Sequence, residues 1–369
     1  MKKNKLFIGA LALLMAFTTA CSSKTENTTT TSQDKDTFTY AINSDPSSTN
    51  PINVSDRWGL TMTNMIYSPL IRVEGDGSLV NELAESTELA KDGLSLTVNL
   101  KKGIKWSDGQ DFTADDVVFT YETKAKKENG NFKSLWINDK PITVEKKDDH
   151  TVVFKFPEPS AAAANNIATE TYIIPKHIYG KVSDFSVKDL QEKPVGTGPY
   201  KLVENKRGEY IKFEANENYY KGKPKVKNVV LRVIQSADTT KVALQKGEID
   251  ASYVLPTDIK DLDTNKLDVY SYSENRIGYL GLNTKTNELK DVKVRQAILY
   301  ALNKGDMNKA AYLDEKYYQN PYSILPPNNP YKTDDVEKYT QNVDKAKELL
   351  KEAGVSNLKL TLAYASNDP

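Results

Sequence analysis

His150, His177, Cys21 and a run of aspartates are the side chains of this sequence best suited to chemistry beyond packing. His150 sits in "KKDDHTVV", a charged turn that leads into a strand, and His177 in "IIPKHIYG", at a helix start. They lie in separate segments with no HxxxH or Cys/His spacing that suits a metal, so each reads as structural or solvated. The acidic string "WSDGQDFTADD" (106–116) carries Asp108, Asp111, Asp115 and Asp116. A calcium loop of this type runs twelve residues and ends in Glu, which is missing here. Asp108-Gly109 reads instead as a turn, and Thr113 as a helix N-cap with Asp116 three residues on, a capping box. "GTGPYKL" (196–202) has no following Lys-Ser/Thr and opens no helix, so it is a poor phosphate loop. Gly196 and Gly198 suit a crossover or hinge, stiffened at its exit by Pro199. No GxSxG elbow is present. These residues predict a binding protein without catalytic residues, bound metal or cofactor.

Cys21 needs its own account, being the one cysteine of 369 residues. It has no partner for an intramolecular disulfide and cannot alone build a thiolate metal site. Before it come Lys2, Lys3 and Lys5, an uncharged apolar stretch from Leu6 to Phe17, and the small residues Thr18, Thr19 and Ala20. That is the layout of a secretory signal peptide over residues 1–20. The apolar stretch falls short of the roughly 20 residues a membrane span needs. Cys21 stands where a lipid would attach, and the segment resembles a bacterial lipoprotein lipobox, with Thr18 where that motif usually has Leu. Residues 21–36, beginning "CSSKTENTTTTSQDKD", hold no large apolar side chain and read as a disordered tether. Fifteen such residues span roughly 20 Å, which would float the folded body just off a membrane surface.

The body itself contains no later stretch fit to cross a bilayer. Basic and acidic residues balance at 50 each; without the three lysines of residues 1–20 the count is 47 against 50. That is no footprint for nucleic acid. The 21 tyrosines against ten phenylalanines suit half-buried strands and wet recognition surfaces.

To position any site, the chain offers strands intermixed with capped helices, which argues for an α/β, mixed α+β, architecture. "TFTYAI" (37–42), "GLSLTVNLKKG" (93–103), "DHTVVFKF" (149–156), "YIKFEAN" (210–216) and "VKNVVLRVI" (226–234) read as strands. Helices are expected from Thr113, in "EPSAAAANNIA", and over 236–247 with Gly247 as its stop. A further helix spans 291–305, with Asp291 as cap, Val294, Ala297, Ile298, Ala301 and Leu302 inward, and Gly305 as stop. The last, 343–354, takes Asp344 as cap, with Ala346, Leu349, Leu350 and Ala353 inward and Gly354 as stop. "LKLTLAYASNDP" (358–369) starts a strand with Leu358, Leu360 and Leu362 on one face and then stops, as a fragment would.

Five strings in order carry a resemblance: "KWSDGQDFTADDVVFTYE" (105–122), "PVGTGPYKL" (194–202), "NENYYKGKPKVKNVVLRVI" (216–234), "VALQKGEID" (242–250) and "LNTKTNELKDVKVRQAILYALNK" (282–304). "DPSSTNPIN" (45–53) and "DKAKELLKEAG" (344–354) fit with them. Together they resemble the family 5 extracellular solute-binding proteins, the peptide- and nickel-binding components of bacterial ABC importers. The resemblance implies a two-lobed, three-domain, periplasmic-binding-protein-like fold that closes on its ligand by hinge motion. Domain I would comprise 37–68 and 173–275, domain II 69–172, and domain III 276–369, its C-terminal part missing. The implied function is capture of oligopeptides, held by main-chain hydrogen bonds, and their delivery to the permease of an importer. The loop "NVSDRWG" (53–59) would line the cleft with Asp56, Arg57 and Trp58: Asp56 for a peptide amino group unless it serves as a helix N-cap, Trp58 as a pocket wall unless it merely packs. Arg276 and Tyr279, from "NRIGYLGLN" (275–283), would face them as polar and aromatic contacts. Other readings are a nickel or metal-chelate binder of the same family, a peptide-pheromone receptor on the same fold and, furthest off, a secreted peptidase.

Overall fold

The alternating string TFTYAI forms strand β1 (Thr37–Ile42) in the computed structural model, which describes residues 36–363 apart from 130, 131, 161, 169, 170, 183, 186–192, 275, 328 and 330. The leader 1–20, Cys21 and the tether through 35 lie outside the described residues. After β1 come helix α1 (Arg57–Ile66), a hairpin of β2 (Ile71–Val73) and β3 (Leu79–Asn81), then β4 (Ala84–Leu89) and β5 (Ser95–Leu100). Helix α2 (Ala114–Lys124) and the small hairpin β6 (Trp136–Ile137) and β7 (Lys140–Pro141) lead to β8 (Thr143–Asp148) and β9 (Thr151–Lys155). Short helices α3 (Ala163–Ala168) and α4 (Lys176–Tyr179) precede β10 (Tyr200–Lys206), β11 (Tyr210–Ala215) and β12 (Asn228–Val233). Helix α5 (Ala237–Gln245) returns the chain to β13 (Ala251–Ser252), and α6 (Val292–Ala301), α7 (Lys304–Tyr312) and α8 (Val343–Glu352) follow.

Two sheets organise these elements. A five-stranded sheet runs β10-β11-β12-β1-β13, with β1 parallel to both β12 and β13 and the β10–β12 run antiparallel. The first strand is therefore inserted between strands that come some 200 residues later; Thr37 pairs with Asn228 and Tyr40 with Ala251. A four-stranded antiparallel sheet, β4-β5-β9-β8, draws only on residues 84–155. Here the alternation works as expected: Leu96, Val98 and Leu100 point into a core with Trp106, Val117, Tyr121, Val152 and Phe154. A second core gathers Ile42, Met62, Ile66, Tyr67, Ile174, Tyr179, Ile211 and Phe213 around the five-stranded sheet.

Polar contacts join the two cores, and the family strings supply most of them. The Ser107 amide donates to the Gly196 carbonyl at 2.9 Å, and Asn218 Nδ2 donates to the Trp106 carbonyl at 3.2 Å. Buried Glu82 accepts from Tyr220 Oη at 2.6 Å, pairs with Arg72 at 3.0 Å and also pairs with Lys221. Burial alone would raise its carboxyl, but Lys221, Tyr220 and Arg72 together hold it below the usual range. Asp108 meets His177 Nε2 at 2.7 Å, and the Lys176 amide donates to Asp116 at 2.8 Å. Thr113 and Asp116 form the expected capping box.

Four expectations are corrected. Gly196 and Gly198 serve close packing rather than backbone freedom: a Cβ on Gly196 would lie 1.9 Å from the Ile66 carbonyl oxygen, and one on Gly198 2.6 Å from that of Met65. Gly305 does not end a helix. Helix α6 stops where Leu302 turns extended, and Asn303 caps α7 by accepting from the Asp306 amide, which places Gly305 inside α7. The cap of α8 is Asn342 rather than Asp344, because the Asn342 amide is anchored to the Tyr300 carbonyl of α6 at 2.7 Å and its side chain accepts from Lys345. No strand forms over 358–363, where Leu360 and Leu362 are exposed and pair with no strand among the described residues; 364–369 lie outside them.

Candidate functional site

The loop that follows β1 and the start of α1 are locked together by Asp56. Its Oδ1 accepts from the Gly59 amide at 2.9 Å, the N-cap bond. Its Oδ2 accepts from the Ser47 amide at 3.2 Å and from the Ser47 hydroxyl. The approach is close enough to require glycine at 59, where a Cβ would sit 2.3 Å from Val54 Cγ2. This lock projects Arg57 and Trp58 from the first turn. The Trp58 indole N–H donates to Asn43 Oδ1, just past β1, at 2.6 Å. Its ring tilts against Tyr40 at 6.2 Å and packs on the second core.

Arg57 is the centre of the cluster. Its Nη2 donates to Glu274 Oε1 at 2.7 Å. The guanidinium carbon lies 5.6 Å from the Trp58 ring and 5.4 Å from that of Tyr253, the residue after β13. Arg276 Nη1 reaches the other oxygen of Glu274 at 3.3 Å. Burial disfavours charge on both Arg57 and Glu274, but their hydrogen bond and mutual attraction outweigh it. The guanidinium is therefore pushed up and the Glu274 carboxyl held below its ordinary range. Burial raises both the Tyr40 and Tyr253 phenols, helped next by Tyr272 for Tyr40 and by Glu274 for Tyr253, so both stay neutral hydrogen-bonding groups. The cluster gathers at the carboxyl ends of the parallel strands β1 and β13, where open α/β sheets characteristically bind ligands.

Of the sequence candidates, the structure brings Asp56, Arg57, Trp58 and Arg276 into one neighbourhood. Tyr279 stands apart at 86% exposure. Asp56 is a helix cap and Trp58 both packs and stacks. Sequence reading missed Tyr40, Asn43, Tyr253 and Glu274. Only Glu274, two residues before Arg276, carried a local hint. A separate open depression of about 620 Å³ lies on the four-stranded sheet, lined by Glu85, Asn99, Lys101, Lys102, Asp148 and His150 among others. Among the described residues no group of three His, Cys, Asp or Glu side chains is placed to hold a metal ion. None of their helices is long and apolar enough to cross a membrane.

The family model for bacterial extracellular solute-binding proteins, family 5 (middle region), matches residues 78–369. This chain belongs to that family. It is 36% identical to the oligopeptide-binding protein AppA of Bacillus subtilis over 373 residues, covering 96% of this chain and 67% of AppA. The structure of AppA in complex with a nonapeptide matches with a TM-score of 0.72 at 31% identity, over 86% of this chain and 64% of that one. The ABC transporter substrate-binding protein CtaP from Listeria monocytogenes matches with a TM-score of 0.80 at 37% identity, over 87% and 65%. NikZ from Campylobacter jejuni, in complex with Ni(L-His), matches with a TM-score of 0.72 at 28% identity, over 86% and 63%. The chain spans about two thirds of the length of these relatives. The fold is thus the mixed α/β fold of solute-binding proteins, and family 5 members are binding components of transport systems acting outside the cytoplasm.

Proposed function

We propose that this protein captures oligopeptides outside the cytoplasm and hands them to the permease of an ABC importer. The observation that carries the reading is the Arg57–Glu274–Arg276 cluster walled by Trp58, Tyr253 and Tyr40 at the carboxyl ends of β1 and β13. It sets charged heads that orient a polar main chain beside flat aromatic faces that tolerate many side chains. The likeness to a relative solved with a nonapeptide supports the same ligand class. In this reading Asp56, Arg57 and Trp58 line one side of a cleft, and Arg276 and Tyr279 the other. Asp56 acts mainly by fixing the loop, its carboxylate already holding three donors. A division into domain I (37–68 and 173–275) and domain II (69–172) is supported by the two sheets and their separate cores, with domain III assigned to 276–369 by the family resemblance. A lipid on Cys21, after removal of residues 1–20, would moor the protein to the membrane surface.

A nickel-chelate ligand is the second reading, favoured by the likeness to NikZ. Two guanidiniums and one carboxylate offer no ligand set for a bare nickel ion, so nickel would have to arrive already chelated. Calorimetric titration with a mixed pentapeptide library and with the nickel–histidine complex separates them. Saturable heat with peptides alone supports the proposal, and heat with the nickel complex alone overturns it.

A further inference from the structure

Arg57 decides which chemical feature of a peptide the cluster grips. This guanidinium is fixed before any ligand arrives. Glu274 holds one end, Trp58 and Tyr253 flank its charge, and the indole is itself pinned by Asn43. An arginine ordinarily loses much rotamer freedom when it is immobilised. Here that cost is met by folding, so a ligand need not meet it again. Yet only one N–H group of Arg57 is engaged, the Nη2 bond to Glu274; the others have no partner among the described residues. The side chain remains 49% exposed, against 21% for Glu274. An exposed ion pair made for stability alone contributes little. A rigid, half-open guanidinium with unused planar donors is the geometry that receives a carboxylate through two parallel hydrogen bonds. Arg276, on the far side of Glu274, adds a second positive charge, so an incoming carboxylate meets a cationic rim.

We infer that Arg57 is a carboxylate subsite: it binds a carboxylate of the captured peptide, supplied by the C-terminus or by an Asp or Glu side chain. The inference rests on the peptide reading, and its test keeps the two apart. Three pentapeptide libraries serve as probes on the full chain: acid-free with free C-termini, acid-free with amidated C-termini, and amidated with Glu at varied positions. Affinities come from calorimetry, for the wild type and for Arg57→Gln and Arg57→Lys, with thermal melting as the check on folding. Wild type should prefer a carboxylate-bearing library over the amidated acid-free one. Arg57→Gln should weaken that library about 10- to 100-fold, as loss of a charge-assisted pair does, and weaken the amidated acid-free library several-fold less. Arg57→Lys, which keeps the charge without the fork, should fall between. Which of the two carboxylate libraries loses affinity identifies the source. Equal weakening of all three libraries, or no weakening of any, in a variant that melts like wild type overturns the subsite and leaves peptide binding standing. Failure of wild type to bind any library overturns the peptide reading itself.

Discussion

Asp56 shows how one side chain can settle a neighbourhood. Its place in "NVSDRWG" suits either a helix cap or a ligand contact, and the bond from the Gly59 amide establishes the cap. What surrounds it was less legible. Arg57 and Glu274 are 217 positions apart, and their meeting depends on β1 and β13 lying side by side, which local pattern does not encode. Tyr253 and Asn43 are placed by the same strand pairing and give no sequence signal of their own. The charge on Glu274 yields a prediction with a definite sign. Its carboxyl is held below the ordinary glutamate value of about 4.3, so the pair's contribution is complete above that pH. It is lost as pH falls through the lower folded value. Thermal stability and ligand affinity should therefore show no step from this pair between pH 8 and 5, and Glu274→Gln should abolish a decline seen below about pH 4. The check is a pH series of melting curves on both proteins; a wild-type decline centred above pH 6 that vanishes in Glu274→Gln would reverse the assignment.

At the scale of elements, the period of the pattern held better than its punctuation. Alternation in β5 and the capping box of α2 appear as read, because both rest on contacts within a few residues. The stops and starts of the later helices moved, because they answer to neighbours: Asn342 begins α8 where it is bonded to the Tyr300 carbonyl. Glycine was the least readable residue, since freedom and close approach look alike in a sequence. Gly196 takes the second role, and an added methyl would meet a backbone oxygen that cannot rotate away. Gly196→Ala should cost about 3 kcal/mol or more, measured by urea unfolding, whereas a hinge glycine would cost less than about 1 kcal/mol.

Across the whole molecule, the strings that reveal the family mark a joint more than a ligand site. Residues of 105–122, 194–202 and 216–234 meet where the two cores touch, through Ser107, Gly196, Asn218 and Tyr220. The candidate site lies instead in strings with fewer distinctive residues, which is why the fold was legible and the site only partly so. Glu82 is the keystone of that joint. Glu82→Gln should cost about 1–3 kcal/mol, below the full penalty for breaking a buried pair because Arg72 and Lys221 can rehydrate. Calorimetric unfolding checks it, and an unchanged midpoint would show the joint to be held by packing alone. The central claim, that this molecule holds peptides, is tested most directly by native mass spectrometry of the chain after gentle purification and incubation with a peptide library. The account predicts adducts that fragment into peptides and disappear on mild unfolding. Bare protein alone, or an adduct that carries nickel in place of peptide, would contradict it.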